Sequence, residues 1–316
     1  MPKLSRPRKG SLQFYPRKRA SKFIPSVNWS TINSKEQGIL GFITYKVAMA
    51  SALVKDSTEH SMTKGKRKTI PVTILEAPNM KLLSARFYKN GIVIKDILLS
   101  KESLLSKKIK LPKTLKDLTK EAPKEYDEIR VLAYSLPSQT SIKKTPDIAE
   151  LALSGENKLE LLTSLIGKEL SLSDFLKKDL TLLDIRGLTK GKGNVGPVKR
   201  FGITLKAHKS EKGRRNPGSL APWHPARVTF RTPMAGQLGL FTRVHYNQKL
   251  IFSGKISENS INPSSGFKNY GKIKSSYLII NGSVQGPPKR QIIITPSFRP
   301  ALFQAKKKYE FIQLLQ

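Results

Sequence analysis

Hydrophobic and polar positions alternate over short runs toward both ends of the chain, which is the pattern of half-buried β-strands. The runs nearer the N-terminus are Ile39–Val47, Thr69–Leu75, Arg86–Lys89 and Ile92–Leu98. Asn90-Gly91 separates the last two runs, and both residues tolerate the positive φ of a two-residue hairpin turn. The runs nearer the C-terminus are Thr181–Ile185, Leu250–Phe252, Tyr277–Ile280, Ser283–Val284 (after Asn281-Gly282) and Gln291–Thr295. This pattern predicts one β-barrel that is interrupted by a large insertion.

The predicted insertion, residues 100–179, has a mixed α/β pattern. Glu128–Tyr134 is typical of a strand, whereas Asp147–Leu153 fits either a strand or a helix. Ser173, ahead of Asp174-Phe175-Leu176, is a start signal for a short helix. A second helix with a core-facing stripe is predicted from four apolar residues at helical spacing, which are Leu159, Leu162, Leu165 and Ile166.

Two stretches show neither the period of a strand nor that of a helix. Residues 1–30 are predicted to be an extended arm, because a continuous helix is excluded by Pro2, Pro7, Pro16 and Pro25. Aromatic residues in this arm favour packing into a partner over a disordered solubility tail. Residues 187–245 are rich in glycine, and Val198–Thr204 within them is predicted to be extended. Loops of this length are usually functional or disordered.

The charge balance changes the interpretation of these two stretches. The chain has 316 residues, with 58 Lys and Arg against 22 Asp and Glu, and a formal net charge of +36. Residues 1–22 contain no acid, and between Ile185 and Ser257 the only acid is Glu211. The segment from Asp117 to Asp184, by contrast, holds 13 of the 22 acids. Charge of one sign without core periodicity predicts segments that become ordered on a polyanionic partner.

Composition and motif spacing exclude several classes of function. The absence of cysteine excludes disulfides, Cys-ligated metals and a thiol nucleophile. The four histidines lack partners at metal-ligand spacing, and no G-x-S-x-G elbow occurs, so we predict no metal, no cofactor and no enzyme activity. No apolar run reaches the roughly 18 residues of a membrane span, and no signal-peptide pattern is present. We therefore expect a soluble intracellular protein.

Gly191, Gly193 and Gly196 form a literal G-x-G-x-x-G motif. A dinucleotide site would need a helix at this point and an acid about 20 residues later, but Pro197 follows at once and position 216 is Asn. The same glycines suit a backbone that lies close to nucleic acid. Trp223 lies farther along the basic stretch, among glycine and proline residues that are poor context for a core residue. An indole in this setting favours stacking on a nucleobase.

Several segments resemble one known family. Gly187–Gly193, Gly196–Arg200, Ala221–Arg227 and Met234–Gly239 are similar to universal large-subunit ribosomal protein three and occur in that family's order. Four further segments resemble the archaeal and eukaryotic form of the family. They are Ser5–Ser11, Pro16–Ala20, Pro71–Pro78 and Gly282–Pro287. Phe201 stands where relatives often have Trp.

Together with the strand pattern, the resemblance implies a mainly β (α+β) fold with a six-stranded Greek-key β-barrel. Its expected parts are an extended arm (1–30), a split barrel core (31–99 and 180–300), an acidic α/β insertion (100–179), a long non-globular finger (187–245) and a basic C-terminal tail (301–316). The resemblance also implies a structural constituent of the large ribosomal subunit in the cytoplasm. Such a protein binds large-subunit rRNA and neighbouring ribosomal proteins, supports early subunit assembly, and places the finger tip near the peptidyl transferase centre.

The residues expected to bind rRNA lie in the arm and the finger. They are Arg6, Arg8, Lys9, Arg17, Lys18, Arg19, Lys190, Lys192, Lys199, Arg200, His208, Arg214, Arg215, Trp223, His224, Arg227, Arg231 and Gln237. We expect Trp223 to stack on a base, Arg215 and Arg227 to hold phosphates, and His208 to brace the loop. No membrane or small-molecule partner is expected. The alternative is a basic RNA- or DNA-binding assembly or chromatin factor that acts off the ribosome, and an rRNA-processing enzyme is more distant.

Overall fold

The computed structural model describes residues 8–31, 38–155, 157–176 and 180–315. Arg6, one of the predicted rRNA ligands, lies outside these residues. The chain divides into two compact units. Unit 1 comprises Met1–Lys22 and Leu188–Thr242, and unit 2 comprises Phe23–Gly187 and Arg243–Gln316.

Strands dominate the described residues, as the alternation predicts, and the chain is mainly β. The strands are β1 (Gly38–Ile39), β2 (Phe42–Asp56), β3 (Arg67–Ala77), β4 (Met80–Lys89), β5 (Ile92–Leu98), β6 (Glu128–Ser135), β7 (Ile148–Ser154), β8 (Leu182–Leu188), β9 (Gly193–Val195), β10 (Gly236–Leu238), β11 (Thr242–Lys255), β12 (Ser276–Asn281), β13 (Gln291–Pro296) and β14 (Tyr309–Leu315). The α-helices are α1 (Leu118–Glu121), α2 (Lys158–Leu165), α3 (Leu172–Phe175), α4 (Pro197–Phe201) and α5 (Leu302–Lys306). Short 3₁₀ turns lie at Trp29–Thr31, Ser103–Lys107 and Pro137–Gln139. Within the described ranges, no helix is long and apolar enough to cross a membrane.

One sheet of unit 2 returns to its starting strand. Its hydrogen-bonded order is β13-β8-β11-β12-β3-β2-β14. Strand β13 also pairs with β2, from Gln291↔Tyr45 to Ile294↔Phe42. The ladders from β13 round to β2 therefore close on themselves, and β14 adds to the outer part of β2 from Tyr309↔Asp56 to Leu315↔Ser51. Closure satisfies backbone groups that an open sheet would leave unpaired.

The second sheet of unit 2 has the order β1-β7-β6-β4-β5. The Asn90-Gly91 turn is confirmed, since the residues have φ of 51° and 74° and join β4 to β5. Residues 80–98, predicted to belong to the split barrel core, lie in this sheet and not in the closed ladders. β4 pairs with β6, and β6 pairs with β7, so these residues form a sheet with the strands of the predicted insertion. Alternation identifies a buried face but does not specify the partner strand.

The predicted strand at Ser283–Val284 is wrong. β12 ends at Asn281, and the next strand begins at Gln291. The carbonyl groups of Val284 and Gly286 instead accept hydrogen bonds from the buried Lys46 ammonium group. Two prolines follow at 287 and 288, and proline cannot donate to a strand ladder.

The C-terminal residues contain more structure than the predicted basic tail. Helix α5 and strand β14 both lie within residues 301–316. The missed strand has the burial pattern of an edge strand, with four of its seven positions exposed. Three consecutive lysines before it, Lys306 to Lys308, hide the short alternation that follows.

Apolar side chains from both sheets of unit 2 form one core cluster with α2 and α3. The helical stripe is confirmed, because Leu162 is fully buried and Leu159, Leu165 and Ile166 pack against the cluster. The ambiguous segment at 147–153 is strand β7. Helix α3 begins two residues earlier than predicted, with Ser171 as its cap, and the Asp174 carboxylate accepts a hydrogen bond from the Ser171 N–H at 2.9 Å.

A buried carboxylate fixes one loop of unit 2 to β3. Glu76 is 0% exposed. Its carboxylate accepts hydrogen bonds from the N–H groups of Lys274 at 2.8 Å and Ser275 at 3.1 Å, and from the Tyr270 hydroxyl. The buried Glu76 side chain therefore supplies the acceptor for two consecutive loop N–H groups.

We predict that Glu76→Ala lowers the free energy of unfolding by about 2 kcal/mol or more, because two backbone N–H groups and the hydroxyl groups of Tyr270 and Ser275 lose their acceptor. Urea denaturation of the purified chain measures the change. Glu258→Ala, at an exposed position of the same unit, is the matched control and should change the free energy by less than about 0.5 kcal/mol. Equal midpoints for Glu76→Ala and wild type would contradict the assigned role.

Candidate nucleic-acid interface

A short two-stranded ladder is the framework of the basic residues in unit 1. β9 and β10 pair antiparallel, from Gly193↔Leu238 to Val195↔Gly236. Gly239 follows β10 with a φ of 79°, and a Cβ at this position would lie 1.9 Å from the Lys190 carbonyl oxygen. Glycine is therefore required for this close approach within the protein. The approach of Gly193 and Gly196 to nucleic acid stays a prediction, since a Cβ on either would meet nothing within 4 Å.

Helix α4 corrects the prediction of an extended segment at 198–204. Pro197 occupies the first turn, where its missing N–H costs nothing, and Gly202 ends the helix with a φ of 69°. The Gly202 N–H donates to the Val198 carbonyl at 2.8 Å. Proline at the start and glycine at the end were the available sequence signals, but the segment is too short to show helical periodicity.

Two arginines fasten the N-terminal segment to this framework. Arg17 Nη1 donates to the Arg200 carbonyl at 2.9 Å, and Arg200 Nη2 donates to the Arg17 carbonyl at 3.2 Å. Arg200 also donates to the carbonyls of Gln237 at 3.0 Å and Met234 at 2.9 Å. The Arg17 guanidinium lies 4.3 Å from the centre of the Phe201 ring. Partial burial, together with the nearby Arg17 charge, lowers the pKa of Arg200.

Aromatic side chains complete the contact between the N-terminal segment and the rest of unit 1. Tyr15 stacks on Phe201 with ring centres 6.5 Å apart, and it meets Phe230 edge-on at 5.7 Å. Gly10, with a φ of 81°, leaves room for this cluster, because a Cβ there would lie 2.7 Å from Phe201. Tyr15, Phe201 and Phe230 are absent from the predicted ligand set. Each of these aromatic residues has an arginine within two positions in the sequence. This proximity was a signal for cation–π packing within the protein.

The predicted ligands divide into an exposed set and a half-buried set. Arg17, Arg200 and Gln237 are half-buried and donate hydrogen bonds to protein carbonyls. The exposed residues are Arg8, Lys9, Lys18, Arg19, Lys190, Lys192, Lys199, His208, Arg214, Arg215, Trp223, His224, Arg227 and Arg231. Arg8 donates to the Arg231 carbonyl at 2.9 Å. The exposed set offers the larger number of charges to a partner.

The loop that carries Trp223 is closed by its own hydrogen bonds. Thr232 Oγ1 donates to the Leu220 carbonyl at 2.7 Å, and Ser219 Oγ donates to the Ala221 carbonyl at 3.2 Å. The Trp223 side chain is 89% exposed, so it is not a core residue. An exposed indole on a closed loop has the free π-face that base stacking needs.

His208 lies in a neighbouring turn. The Lys206 N–H donates to the Arg214 carbonyl at 3.0 Å, and Arg214 Nε donates to the Lys206 carbonyl at 3.4 Å. These bonds join the two limbs of this turn to each other. Bracing of the Trp223 loop by His208 therefore stays a prediction.

The positive charge of unit 1 has no counterpart within the described part of the chain. Every ion pair found among the described residues joins residues of unit 2. Glu211 is the only acid between Leu188 and Thr242, and residues 1–22 have none. Among the described residues there is also no group of three His, Cys, Asp or Glu that could hold a metal. The chemistry that this surface offers is the binding of anions.

Comparison with known proteins gives one consistent match. The family model described as ribosomal protein L3 matches residues 1–91 and 82–314. The large ribosomal subunit protein uL3 of Methanoregula boonei is 39% identical over 322 residues, which cover 95% of this chain and 94% of that protein. The uL3 proteins of Methanosphaera stadtmanae and Archaeoglobus fulgidus are each 38% identical, over 93% and 94% of this chain and 92% and 93% of those proteins.

We predict that Arg17→Ala frees the N-terminal segment in the RNA-free protein, because it removes both a hydrogen bond to Arg200 and the contact with Phe201. Chymotrypsin should then cleave after Phe14 several times faster than in wild type. Arg19→Ala removes the same charge from an exposed side chain and is the matched control, which should be cleaved at the wild-type rate. If both variants were cleaved faster and to the same extent, the loss of charge, and not the loss of the Arg17 contacts, would explain the exposure of the segment to chymotrypsin. Cleavage of Arg17→Ala at the wild-type rate would contradict the prediction.

Proposed function

The chain belongs to the ribosomal protein L3 family and is a structural constituent of the large ribosomal subunit, not an enzyme, and on this premise we propose that unit 1 binds large-subunit rRNA and that its tip buttresses the peptidyl transferase centre. The relatives are named as proteins of the large ribosomal subunit. Neighbouring large-subunit proteins are the further partners that we propose.

The single observation that carries the proposal is the unneutralised charge of unit 1. Its exposed lysines and arginines have no ion-pair partner among the described residues, and Glu211 is the only acid in its longer segment. Phosphate groups supply the missing negative charge at the regular spacing of a nucleic-acid backbone. Contacts of this kind position a protein on RNA more than they read its sequence.

The finer architecture follows from the same reasoning. We infer that the closed ladders of unit 2 form the β-barrel, that residues 188–242 form the finger and that residues 8–22 form the arm. The proposal is supported by the return of β13 to β2 and by the division of the chain into units at Lys22, Leu188 and Thr242. The predicted insertion contributes β6 and β7 to the five-stranded sheet and also contains α2 and α3.

Trp223 is proposed as the contact at the finger tip. Its exposed indole stacks on or wedges against an rRNA base, while the exposed guanidinium groups of Arg215 and Arg227 bind nearby phosphates. The support is the 89% exposure of the indole and the hydrogen bonds that close its loop. Base–aromatic stacking is worth about 1–3 kcal/mol per base.

A role in early subunit assembly is also proposed. The arm and finger expose charge of one sign, and they lie outside the large core cluster of unit 2. Segments of this kind lower electrostatic repulsion between rRNA strands as those strands fold together.

We predict that binding of the full chain to large-subunit rRNA weakens steeply with salt. Each neutralised phosphate contributes about −0.7 to −0.9 to the slope of log K against log salt, so ten contacts give roughly −7 to −9. Filter binding over a series of KCl concentrations measures the slope. A slope shallower than about −3 would contradict the proposal that the exposed charges of unit 1 bind phosphates.

We predict that Trp223→Ala leaves subunit assembly largely intact, because most of the exposed charges remain, yet increases the chemical reactivity of rRNA at the peptidyl transferase centre. Chemical probing and aminoacyl-tRNA binding on purified variant ribosomes measure the effect. Trp223→Phe keeps an aromatic face and should restore most of the protection. Wild-type probing and tRNA affinity in Trp223→Ala would show that the tip only fills space.

A further inference from the structure

Unit 2 carries a basic hairpin tip that the predicted ligand set does not contain. Strands β2 and β3 pair as far as Lys55↔Arg67, and the chain turns between them. We call residues 55–68 the hairpin tip. Its cations are Lys55, Lys64, Lys66, Arg67 and Lys68, and each is exposed.

A buried aspartate holds the hairpin tip in one conformation. Asp56 is 3% exposed. Its carboxylate accepts hydrogen bonds from the Thr58 N–H at 3.0 Å, the Ser61 hydroxyl at 2.9 Å and the Thr63 hydroxyl at 2.5 Å. The Gly65 N–H donates to the Asp56 carbonyl at 2.7 Å. The same hydrogen bonds hold the pKa of Asp56 well below its usual range.

The residues before β14 brace the hairpin tip from a second side. The Ser57 N–H donates to the Lys308 carbonyl at 2.9 Å, and the Lys308 N–H donates to Thr58 Oγ1 at 3.0 Å. The Lys308 ammonium group lies 3.2 Å from a carboxylate oxygen of Glu59. Both acids of the hairpin tip are therefore engaged within the protein. Neither carboxylate lies within 4.0 Å of the Lys64 or Lys66 ammonium group. The hydrogen bond from Lys308 is the main cause that lowers the pKa of Glu59, and the more distant Lys64 charge makes only a minor contribution.

Two cations of the hairpin tip lie opposite each other on paired strands. Lys55 and Arg67 are direct cross-strand partners, and like charges in this relation destabilise a sheet. Lys55 has a distant partner in Glu310 at 3.9 Å. In the part of the chain that the structure describes, Lys64, Lys66, Arg67 and Lys68 have no carboxylate within 4.0 Å. An external anion would relieve this unfavourable arrangement of like charges.

We propose that the hairpin tip is a second rRNA-docking element, carried by unit 2, which grips backbone phosphates through Lys64, Lys66, Arg67 and Lys68. The inference rests on the proposed function, since it assumes that the partner of the chain is rRNA. An acidic protein is the less favoured occupant, because lysine is depleted at protein interfaces and the tip has no exposed aromatic residue. Met62, 97% exposed, is the only large apolar side chain exposed on the hairpin tip.

The test uses the full chain and transcribed large-subunit rRNA. One variant changes the four tip cations to Gln (Lys64, Lys66, Arg67 and Lys68). The matched control removes the same charge from four exposed lysines elsewhere in unit 2 (Lys107, Lys110, Lys113 and Lys124). The tip variant should have a log–log salt slope about three units shallower than wild type, at roughly 0.7–0.9 per lost contact. The control should keep the wild-type slope, and hydroxyl-radical footprinting should show one protected rRNA segment lost only in the tip variant.

A second variant separates loop conformation from charge. Asp56→Ala makes the hairpin tip more positive by one charge but removes the acceptor that orders it. If the arrangement of the tip matters, this variant should lose the same footprint despite its higher charge. Circular dichroism and the footprint of the finger, which should be unchanged, show that the variants are folded.

The outcomes are distinct. Loss of the footprint in the tip variant and in Asp56→Ala supports the proposal. Equal slopes for the tip variant and the control, or a tip footprint that survives while an acidic protein neighbour is lost from assembled subunits, overturns it. A shallow slope in wild type itself would instead overturn the proposed function of unit 1.

Discussion

Positive charges that the chain cannot neutralise repel one another, and the structure keeps most of them where a polyanion can reach them. The formal net charge is +36, yet every ion pair among the described residues lies in unit 2. Burying the remaining cations would cost far more than leaving them in water. Unit 1 therefore has only a small framework, made of a short ladder, arginine–carbonyl hydrogen bonds and three aromatic rings.

Three buried acidic side chains have a different role in this chain from the exposed lysines and arginines. Asp56, Glu76 and Asp147 are buried, and each accepts hydrogen bonds from its own chain, as Asp147 does from the Tyr45 hydroxyl at 2.6 Å. These three carboxylates are used within the protein and are not exposed at its surface. Arg17 and Arg200, like the buried Lys46, instead donate hydrogen bonds to carbonyl groups of the protein itself. The exposed lysines and arginines of unit 1 form no ion pair among the described residues, and the proposed binding of phosphate requires cations of this kind.

Local signals in the sequence predicted local structure well. The Asn90-Gly91 turn, the strand at 291–295 and the apolar stripe of α2 were predictable because each depends on neighbouring residues. The pairing of β4 with β6 was not predictable, because alternation does not specify the partner strand. Helix α4 was too short for periodicity to appear. Of the candidate site, the sign of the charge and the exposure of Trp223 were predictable, whereas the use of Arg17 and Arg200 within the protein depends on distant contacts.

We propose that the exposed cations and the indole of unit 1 face rRNA. A cryo-EM map of the large subunit that contains this chain tests it most directly. We expect Lys192, Arg215 and Arg227 to lie within hydrogen-bond distance of phosphate oxygens and the Trp223 ring to stack on a base. A map in which the Trp223 ring packs on protein, with these cations facing solvent, would contradict it.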